Sequence, residues 1–193
     1  MTHDLDSTRE LILLEEENFA RAIAVRAVEK PQVSFWLVLI PILFLYYIYR
    51  IKKYKKSLAR FIEDFMTTRK RAMELAWDAV VSKEKPHLEN AEWLRELSDD
   101  LQGPYRAWLI ALTDYYVSLL SQEGESFAQL VRSRYRNRSE YLLALNRLSA
   151  VEKEFYAVLK PRMQELDGAA EVISTMEKSA RILRRELGER IYP

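Results

Sequence analysis

The sequence predicts an all-α fold: one transmembrane helix that continues into a cytoplasmic bundle of about five helices, with a separate N-terminal amphipathic helix. Three observations carry this. A run of 19 residues from Pro31 to Tyr49 holds no charge, apolar residues elsewhere recur at spacings of three and four, and nothing alternates at period two for long enough to suggest a sheet. The expected organisation is an N-terminal helix over 1–31, a span over 32–51 and a helical bundle over 52–193.

The first element is the stretch STRELILLEEENFARAIAVRAVEKP. Ser7 and Glu10 have the spacing of a capping box, and Pro31 stops or bends the chain. Leu11, Leu14, Phe19, Ala22, Ile23 and Val25 form an apolar stripe that needs a partner: another protein, another copy or the membrane surface. Lipid is the weakest of these, because anionic headgroups repel Glu15, Glu16 and Glu17. A competing topology keeps both flanks of the apolar run in the cytoplasm and lets this helix join the C-terminal core.

The uncharged run comes next, with 15 apolar residues among its 19. At ~1.5 Å per residue it reaches ~28 Å, close to the hydrocarbon thickness of a bilayer. Its apolar residues cover the whole circumference and leave no face for water. Phe35 and Trp36 near one end, and Tyr46, Tyr47 and Tyr49 near the other, are placed as interfacial anchors. Pro41 should kink such a span. A re-entrant turn there is disfavoured, since no glycine accompanies the proline and the turn would leave backbone groups unsatisfied in lipid. A signal peptide is disfavoured too, because a long charged stretch precedes the run and no small-residue cleavage site follows it.

Charge sets the orientation. Residues 1–32 carry seven acids and four bases, Arg50 to Arg60 six bases and no acid, and the remainder 20 bases and 22 acids. Arg50, Lys52, Lys53, Lys55, Lys56 and Arg60 thus stand directly against the apolar run, which predicts a cytoplasmic C-terminal domain held at a bacterial inner membrane. Basic charge confined to one place is not the footprint of a nucleic-acid binder, and no nucleic-acid partner is expected.

Beyond the run no breaker occurs between Arg50 and Lys85, and Leu58, Phe61, Phe65, Ala72, Ala76, Trp77, Val80 and Val81 keep helical spacing. One long rod should therefore lead from lipid into the bundle and end at Pro86. A shorter helix around His87 to Leu101 should bury Trp93, Leu94 and Leu97, with Gly103 and Pro104 as the next turn. Tyr105, Trp108, Leu109, Leu112, Tyr116, Leu119 and Leu120 then make the richest stripe in the chain, closed by Gly124. The C-terminal part, about 125–190, reads as an antiparallel pair turning at Asp167 and Gly168, with Pro161 kinking its first member. Glu152 falls on the seam of that first member, where pairing to a lysine or arginine across the bundle is expected.

Chemical motifs are few. The four glycines sit where helices should end, leaving none for a phosphate-binding loop, and there is no cysteine. His3 and His87 are far apart and no Glu-x-x-His pair exists, so no metal, cofactor or catalytic residue is expected. Arg132, Arg134, Arg136 and Arg138 split between opposite faces if helical; they would converge on an anion only if the backbone unwinds near Asn137. The expected role is therefore non-enzymatic: a single-pass scaffold or assembly subunit that contacts lipid and binds a protein partner or its own copies. Transmembrane signal transmission and a membrane-bound enzyme or redox subunit are the alternatives.

Overall fold

The structure is a computed structural model that describes residues 4–28, 41–85, 94, 97–162 and 169–193, with side chains in the second stretch at 53 and from 55 onward. Among the described residues it holds six helices and no strand: α1 (Leu5–Ala27), α2 (Pro41–Ser82), α3 (Asp99–Leu120), α4 (Phe127–Arg134), α5 (Arg138–Arg162) and α6 (Ala169–Ile191).

Five of the helices close into a ring, in which α1 packs on α2, α2 on α3, α3 on α5, α5 on α6 and α6 back on α1. Side-chain pairs give the directions. Arg9 lies over Trp77 and Glu16 pairs with Arg69, so α1 and α2 are antiparallel. Glu15 with Arg190 and Phe19 with Arg184 make α1 and α6 antiparallel, and Arg138 with Glu189 and Ser149 with Arg184 do the same for α5 and α6. Asp100 with Arg162 and Tyr115 with Tyr141 set α3 against α5. An odd ring cannot alternate throughout, and the parallel step falls between α2 and α3. Ser82 and Asp99 accordingly lie toward opposite ends of the bundle, and Leu94, between them in sequence, is buried.

The ring encloses one main apolar core, built from residues such as Ile12, Met73, Leu109, Leu112, Leu119 and Leu148. A smaller cluster joins Ala20, Ile23 and Ala27 of α1 to Phe65 and Met66 of α2 and Ala180 of α6. This packing corrects the expectation of a separate N-terminal helix. It also corrects the single-pass arrangement, because one crossing between 32 and 51 would put α1 on the opposite side of a bilayer from α6, against which it packs. Among the described residues no helix is long and apolar enough to cross a membrane, and the first half of the expected span, through Ile40, lies outside them.

Several local expectations change as well. The N-cap of α1 is Asp4, whose carboxylate accepts from the Ser7 backbone N–H at 3.3 Å and from the Ser7 hydroxyl at 2.5 Å, in place of a Ser7–Glu10 box. Its buried face is Thr8, Ile12, Ala20, Ile23, Ala24 and Ala27, whereas Leu14 and Val25 are exposed at 57% and 43%. Gly103 and Pro104 make no turn: α3 starts at Asp99 behind Ser98 and runs through them. Pro104 lies in the second turn, so its missing N–H forfeits a single bond next to carbonyls and amides that already lie near a helix end. Pro161 is the penultimate residue of α5, so the expected mid-helix position is not the one it occupies. The C-terminal pair is preceded by a separate short helix, α4, set off by extended backbone at Tyr135. Gly188 is inside α6, where an added Cβ would come within 2.9 Å of Leu142, so it serves a close α5–α6 approach and not a helix end.

The Asp4 cap is a local test of this start. Asp4→Ala is expected to lower stability by about 1 kcal/mol, a shift of several degrees in a thermal melt followed by circular dichroism, while Asp4→Asn keeps most of it.

Candidate functional site

At the middle of the ring four charges meet in an apolar surround. Glu152 of α5 is 3% exposed, and its carboxylate lies 2.7 Å from Arg184 of α6 and 3.6 Å from Arg69 of α2. The Tyr156 hydroxyl donates to the same carboxylate at 3.3 Å. Arg69, itself 1% exposed, donates to Glu16 of α1 at 2.8 Å and to the Phe65 carbonyl at 3.3 Å, with its guanidinium 3.6 Å above the Phe65 ring. Arg184 donates to the Ser149 hydroxyl at 2.6 Å. Two acids and two bases thus cancel, and four of the five ring helices each supply one of them.

The electrostatics follow from that count. Burial by itself pushes the Glu152 carboxyl up, but Arg184 and Arg69 outweigh it and hold the group below the usual carboxylate range. Burial likewise acts to lower Arg69, and Glu16 and Glu152 reverse this, so the guanidinium stays charged. Desolvation, with the nearby acids, raises the hydroxyls of Tyr116 and Tyr156 well above their ordinary value. A carboxylate held ionised by two guanidiniums is a poor base. The arrangement is a clasp between helices. A cavity of about 30 Å³ beside it, lined in part by Glu16, Arg69 and Arg184, has room for one water.

The larger concavity lies elsewhere. A groove of about 1120 Å³ runs between α1 and α2 and ends at Gly124 and Glu125. Leu11, Leu13, Leu14, Ile62 and Met66 form its apolar walls; Glu10, Glu17, Glu63 and Glu125 outnumber Arg21 and Lys70 around it. Glu17 is already bonded to Arg21. Among the described residues no group of three or more His, Cys, Asp or Glu side chains is placed to hold a metal ion.

The residues singled out in the sequence are scattered across this structure. Phe35 and Trp36, and both histidines, lie outside the described residues. Tyr46, Tyr47, Tyr49, Arg50 and Lys52 lie on the N-terminal part of α2, and Lys53, Lys55 and Lys56 follow as exposed side chains. The backbone does open between α4 and α5, but the four arginines point to different places. Arg132 donates twice to the Ile191 carbonyl, at 2.9 and 2.6 Å, and Arg138 pairs with Glu189 at 2.8 Å. Arg134 lies over the Tyr135 ring, while the Arg136 backbone N–H donates to Glu140. Two of the four thus secure the C-terminal end of α6.

Comparison of the chain with protein-family models, with curated proteins and with solved structures gives no match. Sequence reasoning found Glu152 but missed its partners. A signal for them was present: Glu16 is four residues from both Ile12 and Ala20, Arg69 four after Phe65, and Arg184 four after Ala180, so each lies on a buried stripe.

Proposed function

We propose that this chain is a membrane-anchored helical scaffold whose bundle binds a protein partner or a second copy of itself. One observation carries the reading. Helix α2 is continuous from an uncharged apolar stretch, through six bases, to the buried Arg69 at the centre of the ring. A load on the anchor is therefore passed to the clasp and not to a flexible linker. The groove between α1 and α2 supplies an apolar floor with an acidic rim, which suits a basic amphipathic helix of the partner. Signal transmission from an outer helix is not carried forward, because α1 packs on α2 and α6. No catalytic role is assigned to the central carboxylate, which two arginines occupy.

The test uses the full chain in cells. It is expected to sediment with membranes, to resist extraction by alkaline carbonate, and to retain a stoichiometric protein partner or a second copy in mild detergent. Leu14→Glu, placed on the exposed groove wall, should release that partner without lowering the melting temperature. Full-length protein that is soluble without detergent and monomeric would end the reading.

A further inference from the structure

We infer that the occupant of the groove between α1 and α2 is helix α6 of a second copy, so that the chain assembles with itself head to tail. This rests on the groove reading above and deepens it by naming the partner; it does not depend on the membrane anchor.

The groove's charges are unmet within the chain. Glu10, Glu63 and Glu125, all exposed, have no ion-pair partner among the described residues, whereas Glu17 is bonded to Arg21. Leu14, on the wall, is 57% exposed. Such a site calls for a helix that presents an apolar side chain between bases.

Helix α6 presents one. Lys178, Arg181, Ile182 and Arg185 stand at i, i+3, i+4 and i+7 and so share one face. The three bases are exposed, and the half-buried Ile182 belongs to neither apolar cluster. Neighbouring acids are engaged elsewhere: Glu177 with Lys160, Glu186 with Arg26 and Glu189 with Arg138. Arg185 reaches only Glu189, at 3.8 Å, and Lys178 and Arg181 have no ion-pair partner among the described residues. This face and the groove look outward from different helices of one ring, so a molecule cannot close the contact on itself.

Register supports the match. Arg184 lies over Phe19 and Phe19 meets Phe65, so α6 runs parallel to α2 with Arg184 level with Phe65. Arg181 and Arg185 then fall level with about Ile62 and Met66, inside the groove's extent from Ala59 to Lys70. Two copies related by a rotation about the helix direction engage without sliding, and their α2 N-termini stay on one side. Charge excludes the simpler two-fold contacts: groove on groove would set acid against acid, and α6 on α6 base against base. A head-to-tail contact leaves one groove and one α6 face open at its two ends, so assembly continues past a pair until it closes.

The test uses the full chain in mild detergent, with its mass read by light scattering. Assemblies of more than two copies are expected, and they should dissociate as salt is raised. K178E/R181E/R185E on α6 and E10K/E63K/E125K at the groove should each weaken association about a hundredfold, and mixing the two reversed chains should restore it. A second readout tolerates a loss of stability in those variants. Because the protein has no cysteine, Glu63→Cys and Arg181→Cys, both at exposed positions, give single attachment points. A bismaleimide should join the two variants when mixed and neither to itself. A monomeric wild type, or crosslinking of either variant to itself, overturns the inference; sedimentation with membranes, measured separately, stands or falls without it.

Discussion

Glu152→Ala is expected to destabilise the fold by about 3–5 kcal/mol. The cause is not the loss of one favourable pair. Removing the carboxylate leaves Arg69 and Arg184, 1% and 6% exposed, facing each other with only Glu16 at the edge of the site to offset them. Against a total stability of ~5–15 kcal/mol such a loss is a fifth or more of the whole, and at the low end of that range it leaves a substantial unfolded fraction at ordinary temperature. Urea denaturation at neutral pH measures it directly. If uncompensated charge is the source, Glu152→Leu combined with Arg69→Met and Arg184→Met should recover most of the loss, because exchanging a whole buried ionic group for apolar side chains is often close to neutral. Failure of the triple variant to recover would show that the ions themselves hold the helices.

The same carboxylate gives a pH signature with a definite sign. Its folded value lies below the ordinary one, so the unfolded chain takes up the proton first. The stabilisation is then fully present above the unfolded carboxylate value of about 4.3 and is lost as pH falls through the lower folded value. Melting temperature should therefore not respond to this group between neutrality and pH 5 and should drop steeply below that, a drop that the triple variant lacks.

Trp108→Ala is the second large effect, at about 3–5 kcal/mol. Trp108 is 4% exposed and lies stacked on Phe155 at 5.2 Å, with Tyr105 and Tyr156 both at 5.9 Å, so truncation opens a hole where α3 meets α5. Its indole N–H has no hydrogen-bond partner among the described residues. Trp108→Phe removes that donor without orphaning an acceptor and should cost well under half as much. A tryptophan-to-phenylalanine loss as large as the alanine one, read from urea midpoints, would mean that the indole nitrogen is bonded.

Much of the helix content was legible because burial in α3, α5 and α6 follows the three-and-four spacing closely. Tyr105, Trp108, Leu109, Leu112, Tyr116, Leu119 and Leu120 are all buried, as their spacing predicts. The stripe of α1 was misphased for a physical reason: that helix is held by small residues, Ala20, Ala24 and Ala27, whose burial permits close approach while large neighbours such as Leu14 stay exposed. The pairing of Glu152 was visible as an acid on a seam. Its partners come from helices far away in sequence, and nothing local encodes which arginine reaches it. The Pro104 reading erred because proline penalties depend on distance from a helix end, a quantity that the sequence does not display until the ends are known. Above all, the direction of α1 relative to the apolar run was undetermined, since a stripe states that a partner is needed and not which one.

The closure of the ring between α1 and α6 has a consequence for synthesis. The two surfaces that seal the barrel are the first and the last of the six helices to leave the ribosome, separated by well over a hundred residues. At ~5–20 residues per second, α1 must wait for many seconds with the part of its surface that meets α6, including Glu15 and Phe19, uncovered. A nascent chain of this kind is exposed to premature contacts until its final helix arrives, an interval that the rate of translation sets.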